Sequence, residues 1–285
     1  MYPKSFYENV VYIHYSQIFS NQQLLQWLRS DPLFDHPLRP PAAIQPSALQ
    51  IEKLRQYTHK HSPQDILNHL SSCQASYITI YDEIYPVQLK EIYDPPVLFY
   101  VKGDSDHLSS RAMLGVVGAR KADEYSARAL KEIIPQLLSK GICIVSGLAA
   151  GADGTAHIAA LSGKTIGVMG SGFSHQYPAS NEVLYKKMEQ DQLILSEYPP
   201  YQKPARHHFP MRNRIIAGLS KGIFVTQAAM KSGSMITVDR ALEEGRDVFA
   251  LPGSIFHPLS AGTNFLIKSG AKPVMSAADI IEEWF

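Results

Sequence analysis

The segment most informative about the fold is Ile142-Cys143-Ile144-Val145-Ser146-Gly147-Leu148-Ala149-Ala150-Gly151-Ala152-Asp153-Gly154, within a chain of 285 residues. It begins with a short apolar run at residues 142–145 and continues into a glycine-rich turn. A helical candidate follows at residues 155–162. An apolar run that ends in such a turn predicts a buried strand leading into a helix.

The same pattern recurs throughout the chain from residue 112 onward. Further apolar runs lie at residues 113–117, 165–169, 193–195, 222–226 and 247–251. Further helical candidates lie at residues 122–139, 181–190, 211–219, 234–245 and 264–268. Strand and helix in alternation predict a mostly parallel sheet covered on both faces. We therefore expect an α/β fold for residues 111–285, an extended Rossmann-like doubly wound sheet.

The first 110 residues have a different pattern. Four helical segments separated by proline-rich and polar turns are predicted at residues 6–17, 21–30, 47–60 and 63–73. β-Branched and aromatic residues around prolines follow, and they predict edge strands or a connecting arm within residues 76–110. We expect two domains, a small helical one at 1–75 and the Rossmann-like one at 76–285.

Composition restricts the classes of function. The sequence has no apolar run long enough for a membrane span and no signal-peptide pattern, so a cytoplasmic protein is expected. Cys73 and Cys143 lie far apart without metal-ligand spacing, which favours two thiols over a disulfide or a zinc site. A formal net charge of only +1 argues against a protein that binds nucleic acid over its whole surface. Any nucleic-acid site is expected to be a local patch.

One such patch is evident between residues 198 and 238, a stretch with six basic residues and no Asp or Glu. The basic residues are Lys203, Arg206, Arg212, Arg214, Lys221 and Lys231. At its centre, Phe209 stands among cations and two histidines. Cations neutralise phosphates and an aromatic ring stacks on an unpaired base, so this combination predicts binding of single-stranded nucleic acid. Direct phosphate or base contact is the preferred role for His208 over metal binding.

Glycine-rich turns after the predicted strands supply the second part of the candidate site. In a doubly wound sheet, ligands bind beyond the carboxyl ends of the strands, where helix N-termini attract anions. The candidates in these turns are Gly118, Ala119, Arg120, Gly147, Gly170, Ser171, Gly172, Ser232, Gly233 and Ser234. Arg120 follows a strand and a Gly-Ala turn, so a phosphate clamp is preferred there over a structural ion pair. Neither a dinucleotide fingerprint nor a Walker motif is present, so no cofactor is expected.

Several alternatives remain open from the residues alone. Asp153 and His157 are four apart, but a helix N-cap and a packing histidine are preferred over an acid/base pair. Arg212 and Arg214 are two apart, and two steps on a helix turn through roughly 200 degrees, so at most one should face the ligand of Phe209. A Rossmann-like nucleotide hydrolase with Asp153 or Glu197 as acid/base is the alternative function.

The features described above belong to a series of short sequence motifs that follow one another along the chain. They are Val117-Gly118-Ala119-Arg120, Ser146-Gly147-Leu148-Ala149, Gly151-Ala152-Asp153-Gly154-Thr155-Ala156-His157, Tyr177-Pro178, Ser196-Glu197-Tyr198-Pro199, Phe209-Pro210-Met211-Arg212-Asn213-Arg214-Ile215-Ile216-Ala217-Gly218-Leu219, Ser232-Gly233-Ser234, Gly245-Arg246-Asp247-Val248-Phe249-Ala250-Leu251-Pro252-Gly253, Gly262-Thr263-Asn264 and Gly270-Ala271. Over residues 77–279 the chain thereby resembles the DNA-processing protein A family, also called DprA or Smf. The helical N-terminal segment looks like the sterile-alpha-motif-like domain of some members.

The resemblance implies a cytosolic, dimeric protein without enzymatic activity that binds single-stranded DNA, protects it in natural transformation and loads the RecA recombinase onto it. By matching position, Arg120 would hold a phosphate, Arg206 would add a second cation and Phe209 would stack on a base. Residues 262–271 are the candidate dimer interface. Ala119, Ala152 and Gln227 depart from the residues usual in the family, and Ala119 removes one hydroxyl donor. The chain ends soon after the predicted fold closes, so members with an appended winged-helix domain are not the expected model.

Overall fold

A computed structural model describes residues 2–285. Four helices come first: α1 (Lys4–Tyr15), α2 (Asn21–Ser30), α3 (Ala48–Lys60) and α4 (Pro63–Ser72). Ser20, Ser47 and Ser62 begin α2, α3 and α4 with capping boxes, in which the serine and the residue three positions later satisfy each other's backbone N–H groups. The four predicted helical segments are confirmed to within about two residues.

The remaining helices alternate with strands. The helices are α5 (Val87–Lys90), α6 (Glu124–Ser139), α7 (Ala152–Ala160), α8 (Glu182–Asp191), α9 (His208–Leu219), α10 (Gly233–Glu243), α11 (Ala261–Lys268) and α12 (Ala278–Trp284). The strands are β1 (Ser76–Thr79), β2 (Leu98–Gly103), β3 (Ala112–Val117), β4 (Ile142–Ser146), β5 (Thr165–Met169), β6 (Leu193–Ser196), β7 (Gly222–Val225), β8 (Asp247–Ala250) and β9 (Lys272–Pro273). The sequence did not predict α5, α12 and β9, which are short or terminal.

All the strands assigned within residues 2–285 form one sheet with the order β1-β2-β6-β5-β4-β3-β7-β8-β9. Every pair from β6 to β9 along this order is parallel, whereas β2 pairs antiparallel with β1 and with β6. The predicted α/β, mostly parallel doubly wound sheet is therefore confirmed. The chain leaves β3 for β4 on one side and later returns to β7 on the other, so a topological switch point lies between β3 and β7.

Both faces of the sheet are covered, as the continuous apolar runs predict. Along β3, Met113 and Val117 belong to an apolar cluster with Ile215 of α9, whereas Leu114 and Val116 belong to a cluster with α6 and α7. Successive side chains of a strand point to opposite faces, so a strand between two helical layers must be apolar at every position. Helices α9 and α10 lie in the same layer, on the face of the sheet that carries Met113 and Val117, and both border the candidate site.

Helices α1 to α4 pack against the other end of the sheet. Phe6 and Ile13 of α1 and Trp27 of α2 share an apolar cluster with Leu98 and Tyr100 of β2. The helical segment and the sheet thus share a continuous apolar cluster, and a domain boundary at residues 75 and 76 stays a prediction. No helix in residues 2–285 combines the length and the apolar character that crossing a membrane requires.

Candidate nucleic-acid interface

A cleft of ≈ 710 Å³ lies at the carboxyl ends of β3 and β7. We call it the cleft throughout. Its lining residues are Val117, Gly118, Ala119, Arg120, Lys121, Ala149, Asp153, Tyr177, Arg206, Phe209, Pro210, Arg212, Asn213, Ile216, Ala229, Ser232, Gly233, Ser234, Ile236, Thr237 and Leu259. The position agrees with the general rule that doubly wound sheets bind ligands at their switch point. The turn after β3, helix α9 and the start of α10 are therefore brought together, although they are distant in sequence.

Phe209 is the aromatic centre of the cleft. It is the second residue of α9, and its half-buried ring has the Arg120 guanidinium carbon 5.5 Å from its centroid. The ring of Tyr177 lies 5.8 Å away at a tilt of 52°. A Cβ on Gly170 would come within 3.0 Å of the Phe209 ring, so the ring packs on a position without a side chain. The predicted neighbourhood of Arg120 and Phe209 is present in the structure.

Three exposed cations line the cleft: Arg120, Lys121 and Arg206. None of the three forms an ion pair with an acidic side chain in the part of the chain that the structure describes. The sequence analysis did not select Lys121, although it directly follows Arg120. Unpaired exposed cations are free to neutralise an anionic ligand without first breaking a contact within the protein.

Arg212 belongs to the floor of the cleft. It is buried, and its Nη1 donates a hydrogen bond of 2.7 Å to the carbonyl of Val168 at the end of β5. A Cβ on Gly147 would lie 1.8 Å from that same nitrogen, so the glycine is what makes room for the guanidinium. Burial lowers the pKa of Arg212. The charge of the nearby Asp153 opposes this shift, because it favours the Arg212 cation. Arg212 thus ties α9 to the ends of β4 and β5.

Arg214 lies outside the residues that line the cleft. It is buried in ion pairs with Glu197 after β6 and, at 3.2 Å, with Asp94 before β2. The two arginines therefore leave α9 towards different partners, as a step of two residues on a helix requires. DNA contact by Arg212 or Arg214 stays a prediction, and their burial argues against it.

His208 stacks within the protein. Its ring lies 4.0 Å from that of Tyr198, and its Nδ1 is 3.2 Å from the carbonyl oxygen of Gly170. Burial and, secondarily, the nearby His207 lower the pKa of His208, so the ring is neutral at pH 7. A neutral, stacked imidazole offers little to a phosphate, and the predicted phosphate or base contact of His208 stays untested.

Gly170, Ser171 and Gly172 are not among the residues that line the cleft. Ser171 is buried and its Oγ donates to the carbonyl of His175 at 2.8 Å. A Cβ on Gly172 would lie 1.9 Å from the carbonyl oxygen of Pro199. These three residues let the loop before α9 pack closely on the turn after β5, and a direct contact with DNA remains a prediction for them.

The start of α10 forms the opposite wall of the cleft. Ser232 is its N-cap residue, yet its buried Oγ makes no hydrogen bond with any described residue. Gly233 faces open space, and the Ser234 Oγ donates to the carbonyl of Gly118 at 2.8 Å. The free N–H groups at the start of a helix favour anions, so this wall suits a phosphate. Gly118 and Ala119 also line the cleft, where Gly118 is packed against Thr226 and Ala152.

The carboxylates of the alternative hydrolase are both buried. Asp153 accepts a hydrogen bond of 3.2 Å from the N–H of Gly147, and Glu197 is held by Arg214. Burial raises the pKa of both carboxyl groups, while the arginines oppose that rise. The predicted N-cap role of Asp153 is wrong, because α7 begins at Ala152 and Gly151, with φ of 77°, is the capping residue.

His157 is a packing residue, as preferred. Its ring is buried in α7, where Nδ1 lies 2.8 Å from the Thr165 hydroxyl of β5. Burial lowers its pKa to about 3. Among residues 2–285, no group of three or more His, Cys, Asp or Glu side chains is arranged to hold a metal ion.

Comparisons with known proteins find a matching family model and similar chains. Residues 76–285 match the family model described as DNA recombination-mediator protein A. The chain is similar to the DNA processing protein DprA of Bacillus subtilis strain 168, with 41% identity over 277 residues, covering 94% of this chain and 92% of that one.

Two solved structures are similar to this chain. The DprA of Streptococcus pneumoniae matches with a TM-score of 0.86 and 40% identity, covering 100% of this chain and 99% of that one. The DNA processing protein A of Helicobacter pylori matches with a TM-score of 0.68 and 30% identity, covering 74% of this chain and 95% of that one, and its structure is described as giving insights into its unique single-stranded DNA binding mode.

Proposed function

This chain belongs to the DNA recombination-mediator protein A family, known as DprA or Smf, and we propose that its cleft binds single-stranded DNA. The observation that carries the proposal is the contact of Arg120 with the ring of Phe209 inside a cleft lined by two further unpaired cations. A cation beside a partly exposed aromatic ring serves one phosphate and one unstacked base of the same strand. The single-stranded DNA binding of the Helicobacter pylori relative supports it.

The proposed contacts divide into two kinds. Arg120, Lys121 and Arg206, with the N-terminus of α10, face the phosphates. Phe209, with Tyr177 beside it, stacks on a base. Phosphate contacts and stacking are both insensitive to sequence, so binding depends on strand length rather than on a base code.

The test compares a fluorescently labelled oligo(dT) strand with the matching duplex by fluorescence anisotropy. We expect binding of the strand and much weaker binding of the duplex, because stacking on Phe209 requires an unpaired base. Equal affinity for strand and duplex would exclude stacking as the basis of recognition.

The finer assignment is that this protein protects incoming single strands in the cytoplasm during natural transformation and loads RecA onto them. Membership of a recombination-mediator family supports it. The measurement is the rate at which RecA assembles on a labelled strand with and without this protein. An unchanged rate at saturating protein would remove RecA loading while leaving DNA binding intact.

We also propose a homodimer formed through the segment around residues 262–271. Phe265 within this segment is 47% exposed, and Ile255 and Phe256 shortly before it are 83% and 89% exposed. Exposed apolar side chains that group together are typical of protein–protein interfaces. A mass determined by light scattering should be that of two chains for the wild type and of one chain for Phe256→Asp. A monomeric wild type at micromolar concentration would contradict the dimer.

Binding is preferred over the alternative hydrolase because both candidate carboxylates are buried and held by the protein. Glu197 lies in an ion pair outside the cleft, and Asp153 accepts a hydrogen bond from the N–H of Gly147. A panel of nucleoside monophosphates should show no release of base. Release that is abolished in Glu197→Gln would restore the hydrolase.

A further inference from the structure

The β6–α9 loop, residues 197–207, connects the last strand before the cleft to the helix that carries Phe209. Arg206 lies near its end and lines the cleft. The position of this loop therefore sets where Arg206 meets a bound strand, if the cleft binds DNA as proposed.

The turn after β5 holds one side of the loop. The N–H of Gly172 donates to the carbonyl of Gln202 at 2.8 Å, and that of Ser174 donates to the carbonyl of Pro200 at 3.0 Å. The Nε2 of His175 lies 3.0 Å from the carbonyl oxygen of Tyr201. These contacts come from the turn after β5 and fix the backbone of residues 200–202.

The helical segment holds the other side of the loop through Tyr201. The hydroxyl of Tyr201 donates a hydrogen bond of 2.6 Å to the carbonyl of Tyr15, the last residue of α1. The two tyrosine rings lie 5.1 Å apart. Burial raises the pKa of Tyr201 to about 12, so its hydroxyl is a donor at neutral pH.

The acceptor end of this contact is itself fixed. Tyr15 is buried, its ring lies edge-on to Tyr100 of β2, and its hydroxyl is paired with His69 of α4. Between Tyr201 and Arg206, Pro204 restricts the backbone, and the N–H of His208 donates to the carbonyl of Ala205 at 3.0 Å. A restraint on Tyr201 therefore limits the movement of Arg206, five residues further along the chain.

We propose that Tyr201 is a positioning residue for the cleft, through which helices α1 to α4 hold the β6–α9 loop so that Arg206 faces the bound strand. The proposal rests on the proposed function and gives the helical segment a part in DNA binding without any contact of its own with DNA. Tyr201 acts through Arg206 and does not touch the ligand.

A double-mutant cycle tests this. The affinity for a labelled oligo(dT) strand is measured for the wild type, Tyr201→Phe, Arg206→Ala and the double variant. Loss of one hydrogen bond that positions the loop should weaken binding of the single variant by about threefold. If Tyr201 acts through Arg206, the same change should have no effect in the Arg206→Ala background. Equal loss in both backgrounds, or no loss in either, would overturn the proposal.

Tyr57→Phe is the matched control. The hydroxyl of Tyr57 in α3 also donates to a backbone carbonyl of α1, that of Tyr12 at 3.0 Å, but this hydroxyl makes no hydrogen bond with the β6–α9 loop among the described residues. Both variants should keep the wild-type circular dichroism spectrum, and Tyr57→Phe should bind DNA like the wild type. Equal weakening by Tyr57→Phe would mean that general loosening of the helices, and not the Tyr201 bond, affects the cleft.

The outcomes separate this proposal from the proposed function. A wild-type protein that does not bind the strand would remove the function and the inference together. A wild-type protein that binds, with independent effects of Tyr201 and Arg206, would remove the inference alone.

Discussion

Phe209 lies between a fixed support and the open cleft. Gly170 lets the ring approach the turn after β5, and the Arg120 guanidinium lies 5.5 Å from the ring centroid. A ring held in this way loses little freedom when a base stacks on it, so more of the stacking energy is retained as affinity.

Phe209→Ala should therefore weaken binding of a single strand by about 1 to 3 kcal/mol, the usual contribution of one stacked base. The measurement is the dissociation constant for oligo(dT). Tyr93→Ala is the control, because Tyr93 is an aromatic residue that is 88% exposed and does not line the cleft. Wild-type affinity of Phe209→Ala would remove the stacking role.

At the same scale, the sequence predicted the neighbourhood of Arg120 and Phe209 and that at most one of Arg212 and Arg214 would face the ligand, but it did not predict that both are buried. Arg206, Arg212 and Arg214 lie in the same basic stretch, and packing in the folded chain decides which of them is exposed. Arg206 is exposed, whereas Arg212 fills the space left by Gly147 and Arg214 pairs with Glu197. Their partners are supplied by strands far away along the chain, so no local pattern reveals the burial.

Helix α9 is the element that connects the cleft to the fold. Arg212 ties it to β5, and Arg214 ties it to the segments after β6 and before β2. The contact of Arg214 with Glu197 is a buried ion pair, in which each charge is stabilised by the opposite charge of its partner.

Arg214→Ala should lower the free energy of unfolding by about 3 to 5 kcal/mol, because it leaves Glu197 buried without its cation. Arg240→Ala is the matched control, since it breaks an exposed pair with Glu243 in α10 and should cost at most about 1 kcal/mol. Urea denaturation of the two variants measures both values. Similar losses in both would contradict the importance of burial.

Helix α7 contributes a dependence of stability on pH. The pKa of His157 is about 3 in the folded chain because of burial, against an ordinary value near 6.5. A histidine whose folded pKa is depressed stabilises the fold above pH 6.5, and this contribution is lost as the pH falls from 6.5 towards 3.

Between pH 7 and pH 5, the free energy of unfolding should therefore fall by about 2 kcal/mol more in the wild type than in His157→Gln. Urea denaturation at the two pH values measures the difference, in which groups common to both proteins cancel. Parallel pH dependence of the two proteins would mean that His157 does not titrate in the unfolding reaction.

At the scale of the whole molecule, the sequence predicted the alternation of strands and helices well. Strands that are covered on both faces are continuous apolar runs, and such runs can be identified from the local sequence. It predicted the four N-terminal helices through their polar starts and apolar stripes. It did not predict how these helices meet the sheet. The bond between Tyr201 and Tyr15 joins residues 186 positions apart, and such contacts have no local signal.

The structure also changes the expected electrostatics of the whole molecule. If four to six phosphates were neutralised along the carboxyl ends of the strands, the logarithm of the affinity would fall against the logarithm of salt concentration with a slope of roughly −3 to −4. Burial of Arg212 and Arg214 leaves Arg120, Lys121 and Arg206 as the cations that line the cleft and are exposed. Three neutralised phosphates correspond to a slope of about −2 for each chain.

The most direct test of a cationic cleft for a single strand is the salt dependence of oligo(dT) affinity, measured by anisotropy for the wild type and for Arg120→Ala. The account predicts a slope of about −2 per chain for the wild type and a slope shallower by about 0.7 for Arg120→Ala. A wild-type slope near zero would contradict the claim that the cleft binds the phosphates of the DNA strand.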